Sequence, residues 1–164
     1  MAALADRVGM TATGLLYYFG TKERLLREVV AERDSMTAID SDQAFPPELT
    51  LASLRDIGRH NAETAILTRL YLVLGAESFD AEDLLHDFFV ERYETGRQFV
   101  RALLNDEKAK GKVREDVDID QIALEVVATI MGVELQWFTD PERVDLAGAL
   151  ETYLDELTQR IAPS

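Results

Sequence analysis

The chain has 164 residues, 47% of them hydrophobic and 29% charged, with no cysteine and a formal net charge of −14 at neutral pH. That length and apolar content suffice for a sizeable core, while the lack of cysteine excludes disulfides and thiolate chemistry and accords with a reducing compartment. No apolar run is read as approaching the roughly 20 residues that span a bilayer, and the first residues lack the pattern of a secretory signal, so the expected setting is cytoplasmic with no membrane partner.

In chain order, the first helix is expected over residues 2–8, where Ala2, Ala3, Leu4, Ala5 and Val8 are good helix formers with an apolar i, i+4 pair. Gly9 stops it, since glycine tolerates the left-handed backbone that ends a helix, and Met10 is expected to bury behind the turn. Thr11 caps a second helix over residues 12–18, which Gly20 breaks. Two short helices joined by a glycine turn make a helix-turn-helix, and the second is the candidate DNA reader. On it Leu15 and Phe19 suit burial, whereas Thr13, Gly14, Tyr17 and Tyr18 would face outward with Thr11, small and aromatic enough to approach a major groove. Thr21 caps a third helix over residues 22–38, and Lys22 in its first turn is placed for a DNA phosphate.

These residues also carry a family resemblance. The segment GMTATGLLYYFGTKERLL resembles the signature of the TetR (tetracycline repressor) family of transcriptional regulators, with Gly9, Thr11, Leu15, Tyr18, Phe19, Thr21, Lys22, Glu23 and Leu25 in register. It departs where most members have a tyrosine in place of Leu16 and a threonine in place of Gly14, which moves the expected backbone contacts to Tyr17 and Tyr18. The resemblance implies an all-α fold: an N-terminal helix-turn-helix domain, here expected to lack its first helix, followed by a helical bundle that binds an effector and dimerises. Without that helix, Leu4, Val8, Leu15 and Phe19 are expected to lose one packing partner.

The acidity is unevenly spread. Residues 1–33 carry a net +1 and the remainder −15, so a local phosphate site can coexist with an acidic body, exposed charges being screened beyond about 8 Å. The electrostatic footprint on DNA is accordingly weak.

After the third helix, a polar connection ends in Phe45-Pro46-Pro47, which cannot continue a helix and is read as the hinge between domains at 1–38 and 39–164. Beyond it helices are expected over 50–62, 63–78, 81–110, 119–138 and 144–161, with Asp80 and Asp118 as caps, Gly111 ending the longest, and no strand pattern.

Leu67, Leu70, Tyr71 and Leu74 with Leu84, Phe88, Tyr93, Phe99, Val100 and Leu103 form a large apolar and aromatic set. Helical spacing alone reads this equally as core; the family resemblance implies an effector pocket, with Leu67, Leu70, Tyr71, Leu74, Phe88, Tyr93 and Glu134 as candidate ligand contacts. Asn61, Glu77, Tyr93 and Glu134 are polar groups that could orient a ligand or cap helices. The last two helices carry Ile122, Val126 and Ile130, then Leu146, Leu150, Tyr153, Leu154 and Leu157, with Trp137 between them. Such stripes pack either within the chain or in a four-helix interface with a twofold-related copy, and the resemblance implies a homodimer through them.

His60 and His86 lie on different expected helices, and there is no phosphate-binding glycine loop, nucleophile elbow or His-Glu-x-x-His, so no metal, cofactor or enzymatic activity is expected. The expected protein is a TetR-like repressor released from operator DNA by a small-molecule effector. The alternative is a dimeric helical ligand-binding or interaction protein that no longer binds DNA.

Overall fold

The computed structural model of the chain describes residues 2–36 and 54–163. Among the described residues there are eight helices and no strand: α1 (Ala2–Arg7), α2 (Ala12–Phe19), α3 (Lys22–Met36), α4 (Arg55–Glu63), α5 (Ala65–Ala76), α6 (His86–Ala109), α7 (Ile119–Thr139) and α8 (Leu146–Ile161). The all-α class and the helix order follow the sequence expectation, and the hinge at Phe45-Pro46-Pro47 lies outside the described residues.

Local chemistry sets most boundaries. Gly9 at φ 68° and Gly20 at φ 74° take the left-handed backbone that turns the chain on either side of α2. Thr11 and Thr21 accept hydrogen bonds from the amides of Gly14 (2.9 Å) and Arg24 (3.0 Å), satisfying first-turn donors of α2 and α3. Asp118 caps α7 through the Gln121 amide, and Asp145 does the same for α8 through the Gly148 amide. Asp80 is not a cap as expected. The Asp83 carboxylate instead accepts from the Asp80 amide at 2.8 Å, closing a turn before α6, which therefore begins at His86 rather than at 81.

The body has two apolar clusters. The larger joins Leu54 and Ile57 to Phe99, Val100, Leu103 and Leu104 of α6, Ile122, Ala123 and Val126 of α7, and Leu154, Leu157 and Ile161 of α8. Gly58 lets α4 cross α8 closely, because a β-carbon there would stand 3.1 Å from Ala147 Cα and 3.2 Å from Leu150 Cδ1. The second cluster joins Val30 and Leu26 of α3 to Tyr71 and Leu74 of α5 and to Leu85, Phe89 and Tyr93 at the start of α6. Helix α6 is common to both.

Two expectations about exposed faces are corrected. In the first helix Ala5 is the buried residue, while Leu4, Val8 and Met10 are exposed. Helix α7 is, among the described residues, long and apolar enough to cross a bilayer by length and composition (mean hydropathy 1.4), against the expectation of no such run. It carries Glu125 and the buried Glu134 and packs on α6 and α8.

Candidate functional site

The reading unit is built on Ala5, Leu15 and Leu25, which are buried, leaving the outer face of α2 free. Thr13, Leu16, Tyr17 and Tyr18 are exposed there, Tyr17 at 86%, and its ring meets Tyr18 edge-on at 5.8 Å. Thr11, its hydroxyl turned to the Gly14 amide, and Lys22 at the start of α3 are also exposed, whereas Gly14 is half-buried beneath the cap. Fully exposed aromatic side chains on a short capped helix have no role in the fold of the chain and are available to a groove or backbone.

The second site is a narrow, open-mouthed cleft with about 80 Å³ of interior space, smaller than the usual run of small-molecule pockets. Four helices wall it. Leu54 caps α4, and Ile57 and Asn61 lie along it; Tyr71 comes from α5; Arg92, Tyr93, Gly96, Phe99 and Val100 from α6; Val127, Ile130, Met131 and Glu134 from α7. The α7 set falls at i, i+3, i+4 and i+7, so one face of that helix is turned to the cleft and the carboxylate sits at its end.

Two polar side chains meet inside. Asn61 is 2% exposed and Glu134 1% exposed, and Asn61 Nδ2 donates a hydrogen bond to Glu134 Oε1. The remaining amide atom, Asn61 Oδ1, is buried without a hydrogen-bond partner. Thr68 holds Asn61 from behind, its hydroxyl donating to the Asn61 carbonyl at 3.2 Å. The aromatic wall is a linked set: Tyr71 lies 5.3 Å from Phe89 and 6.2 Å from Tyr93, and Phe89 lies 5.7 Å from Tyr93. Burial pushes the Tyr93 phenol above its ordinary range, with the nearby Arg92 charge pulling the other way, so it is a neutral donor or acceptor at physiological pH.

Of the residues expected at a ligand site, Tyr71, Tyr93 and Glu134 line this cleft. Leu67, Leu70, Leu74 and Phe88 do not: Leu70, Leu74 and Phe88 pack in the second cluster, toward α3, and Leu67 stays half-buried elsewhere. Glu77 is exposed. Ile57, Arg92, Gly96 and Met131 were not anticipated. The i, i+4 pair of Ile57 and Asn61, and a glycine inside the aromatic run of α6, are the signals that point to them.

Of the residues expected at a dimer interface, Ile122, Val126, Leu146, Leu150, Leu154 and Leu157 are buried in the protomer's own core and present no face to a second copy. Ile130, Trp137 and Tyr153 are half-buried, Ile130 toward the cleft and Trp137 packed at 4.5 Å on Phe138. The outward face of α7 carries Leu124 (48% exposed) and Leu135 (61%) with Ala128 and Gly132 between them. The two histidines are apart, His86 Nδ1 lying 3.0 Å from the Ser78 carbonyl oxygen.

A capped helix-turn-helix joined to a helical body with an internal cleft is the build of a transcriptional regulator. Residues 48–162 match the family described as the C-terminal domain of BetI-type transcriptional repressors. The chain also resembles the solved structure of SmeT, the repressor of the Stenotrophomonas maltophilia multidrug efflux pump SmeDEF, with a TM-score of 0.69 and 18% identity over 99% of this chain and 80% of that one. No curated protein matches the sequence. The chain belongs to the TetR family of transcriptional regulators, with a BetI-type C-terminal domain.

Proposed function

We propose that this chain is a cytoplasmic, homodimeric repressor that leaves operator DNA when a small, largely apolar effector fills the cleft. The division is a reading domain over residues 1–38, with α3 as its linking helix, and a ligand-binding and dimerisation domain over 39–164.

The observation that carries this reading is the continuity of the second cluster. Tyr71 and Tyr93 wall the cleft and belong to the same cluster as Val30 and Leu26 of α3, through Phe89 and Leu74. Helix α3 follows α2 across only Gly20 and Thr21. A ligand that displaces either tyrosine therefore disturbs the surface on which α3 rests, and α3 carries the reader with it. Arg27 of α3, its guanidinium 5.0 Å from the centre of the Phe88 ring, ties the same two elements from outside.

On DNA, Tyr17, expected at the backbone from the resemblance, is exposed enough for its ring to reach a base edge beside it, as Thr13 does, while Thr11, Gly14, Tyr18 and Lys22 hold the backbone. The dimer forms through the outward faces of α7 and α8. Only 17% of the apolar window of α7 is buried within the chain, and Leu124, Ala128, Gly132 and Leu135 give it a stripe narrow enough for a second helix to approach.

Fluorescence anisotropy of the 164-residue chain with labelled DNA from its own promoter region, at several salt concentrations, tests the reading. Saturable binding whose logarithm falls linearly with that of salt is the expected result. Intact dimers with no DNA binding at any salt would instead make the chain a helical ligand-binding protein.

A further inference from the structure

We infer that the effector is an apolar amine whose N–H docks on Asn61; this rests on reading the cleft as the effector site. Among the described residues, Asn61 is the one side-chain amide in the lining of the cleft. The Asn61 amide gives its Nδ2 donor to Glu134 Oε1, which leaves Oδ1 as its remaining polar atom. Asn61 Oδ1 is then a buried acceptor without a donor in the cleft wall. A buried carbonyl left unpaired is unfavourable, and a ligand that brings a donor to it recovers the lost hydrogen bond.

The surroundings select the rest of the molecule. Ile57, Phe99, Val100, Val127 and Ile130 offer an apolar lining for an alkyl or aryl body. The Tyr71 and Tyr93 rings in the lining favour a cationic head over a neutral one. A carboxylate of the same size would bring only acceptors against Asn61 Oδ1. Amines and acids of one chain length therefore separate the two polarities.

Isothermal titration of the full chain with decylamine, decyltrimethylammonium and decanoate supplies the test: one tail, with a cationic donor, a cation without a donor, and an anionic acceptor. Decylamine is expected to bind about tenfold or more tightly than either of the others. In Asn61→Leu the preference for decylamine over decyltrimethylammonium is lost. Decanoate binding as tightly as decylamine, or decylamine indifferent to Asn61→Leu in a folded variant, overturns the inference. Should Asn61→Leu not fold, the three-way comparison on the unaltered chain decides alone. Equal binding of all three probes, abolished by filling the cleft with Gly96→Trp, would retain the effector cleft and remove the donor preference. No binding by any probe would remove the cleft reading as well.

Discussion

The phenol oxygen of Tyr93 rests directly on Gly75, so closely that a β-carbon at that glycine would overlap it. The ring cannot step aside freely, being flanked by Tyr71 and Phe89, and Phe89 itself would stand 3.3 Å from the added carbon. Gly75→Ala is therefore expected to destabilise the chain by about 1–3 kcal/mol, as overpacking does, and to weaken ligand binding by shifting the cleft wall. Urea unfolding reads the first effect. The double variant with Tyr93→Phe removes the overlapping oxygen, and recovery of most of the stability would assign the loss to that contact.

Arg27 contacts the face of Phe88 and also donates to Glu23 Oε1 at 2.9 Å on its own helix. Neither partner lies in the cleft or on the reading face. Arg27→Gln should leave DNA affinity and ligand affinity close to those of the unaltered chain, while the ratio of DNA affinities with and without ligand falls by about 0.5–2 kcal/mol in coupling. An unchanged ratio would place the communication elsewhere in the second cluster.

Substitutions on α7 and α8 should sort by face. Leu124→Glu with Leu135→Glu, on the outward side, is expected to give folded monomers in sedimentation velocity, since charge at two exposed apolar positions opposes association but leaves the core intact. Leu150→Ala, on the inward side, is expected to cost about 2–5 kcal/mol in unfolding without altering the association of the folded fraction.

Tyr153 donates to Glu125 Oε1 at 3.1 Å. Burial, more than the neighbouring Glu125 charge, pushes its phenol up to about 12, against an ordinary value of 10.0. The folded state therefore holds this proton more tightly than the unfolded chain. Its contribution to stability is complete below pH 10 and is lost as pH rises from about 10 to about 12. Tyr153→Phe should flatten that segment of the stability curve and remove a step near pH 12 from a spectrophotometric tyrosine titration.

The reading face predicts two different signatures. Lys22→Ala should weaken binding alike on all sequences and reduce the salt slope by about one. Tyr17→Ala and Thr13→Ala should change the ranking of binding sites, and Tyr17→Ala should alter stability by less than about 0.5 kcal/mol, its side chain being almost wholly exposed. Uniform loss in both would give these residues to the backbone instead.

The reading unit was the most legible part of the sequence because its determinants are local. Glycines at 9 and 20 need positive φ, and threonines at 11 and 21 cap the next turn, whatever the rest of the chain does. The start of α6 was not, since Asp80 reads as a cap by type, whereas its amide is taken by the Asp83 carboxylate in a turn and α6 starts after Leu85 with no side-chain cap. Periodicity showed that Leu146, Leu150, Leu154 and Leu157 share a buried face but could not say against what; α4, distant in sequence, covers it together with the preceding α7. In the cleft, Glu134 was conspicuous as a carboxylate continuing an apolar stripe. Phe88 and Leu74 follow the same spacing as Tyr93 and Tyr71 yet face α3, a distinction set by the relative rotation of packed helices that no single stretch encodes.

Helix α6 belongs to both apolar clusters, its final turns fixed among α7 and α8 and its first turns among α3 and α5. It is thus a lever with its fulcrum near Gly96, beside the cleft. The arm from His86 to the fulcrum is about 15 Å long at 1.5 Å per residue, so a tilt of roughly 5° moves its tip by about 1.3 Å. Displacements of about 1–2 Å are the scale on which packed helices shift between discrete arrangements, and here they are delivered to α3 without disturbing the core that holds the other arm.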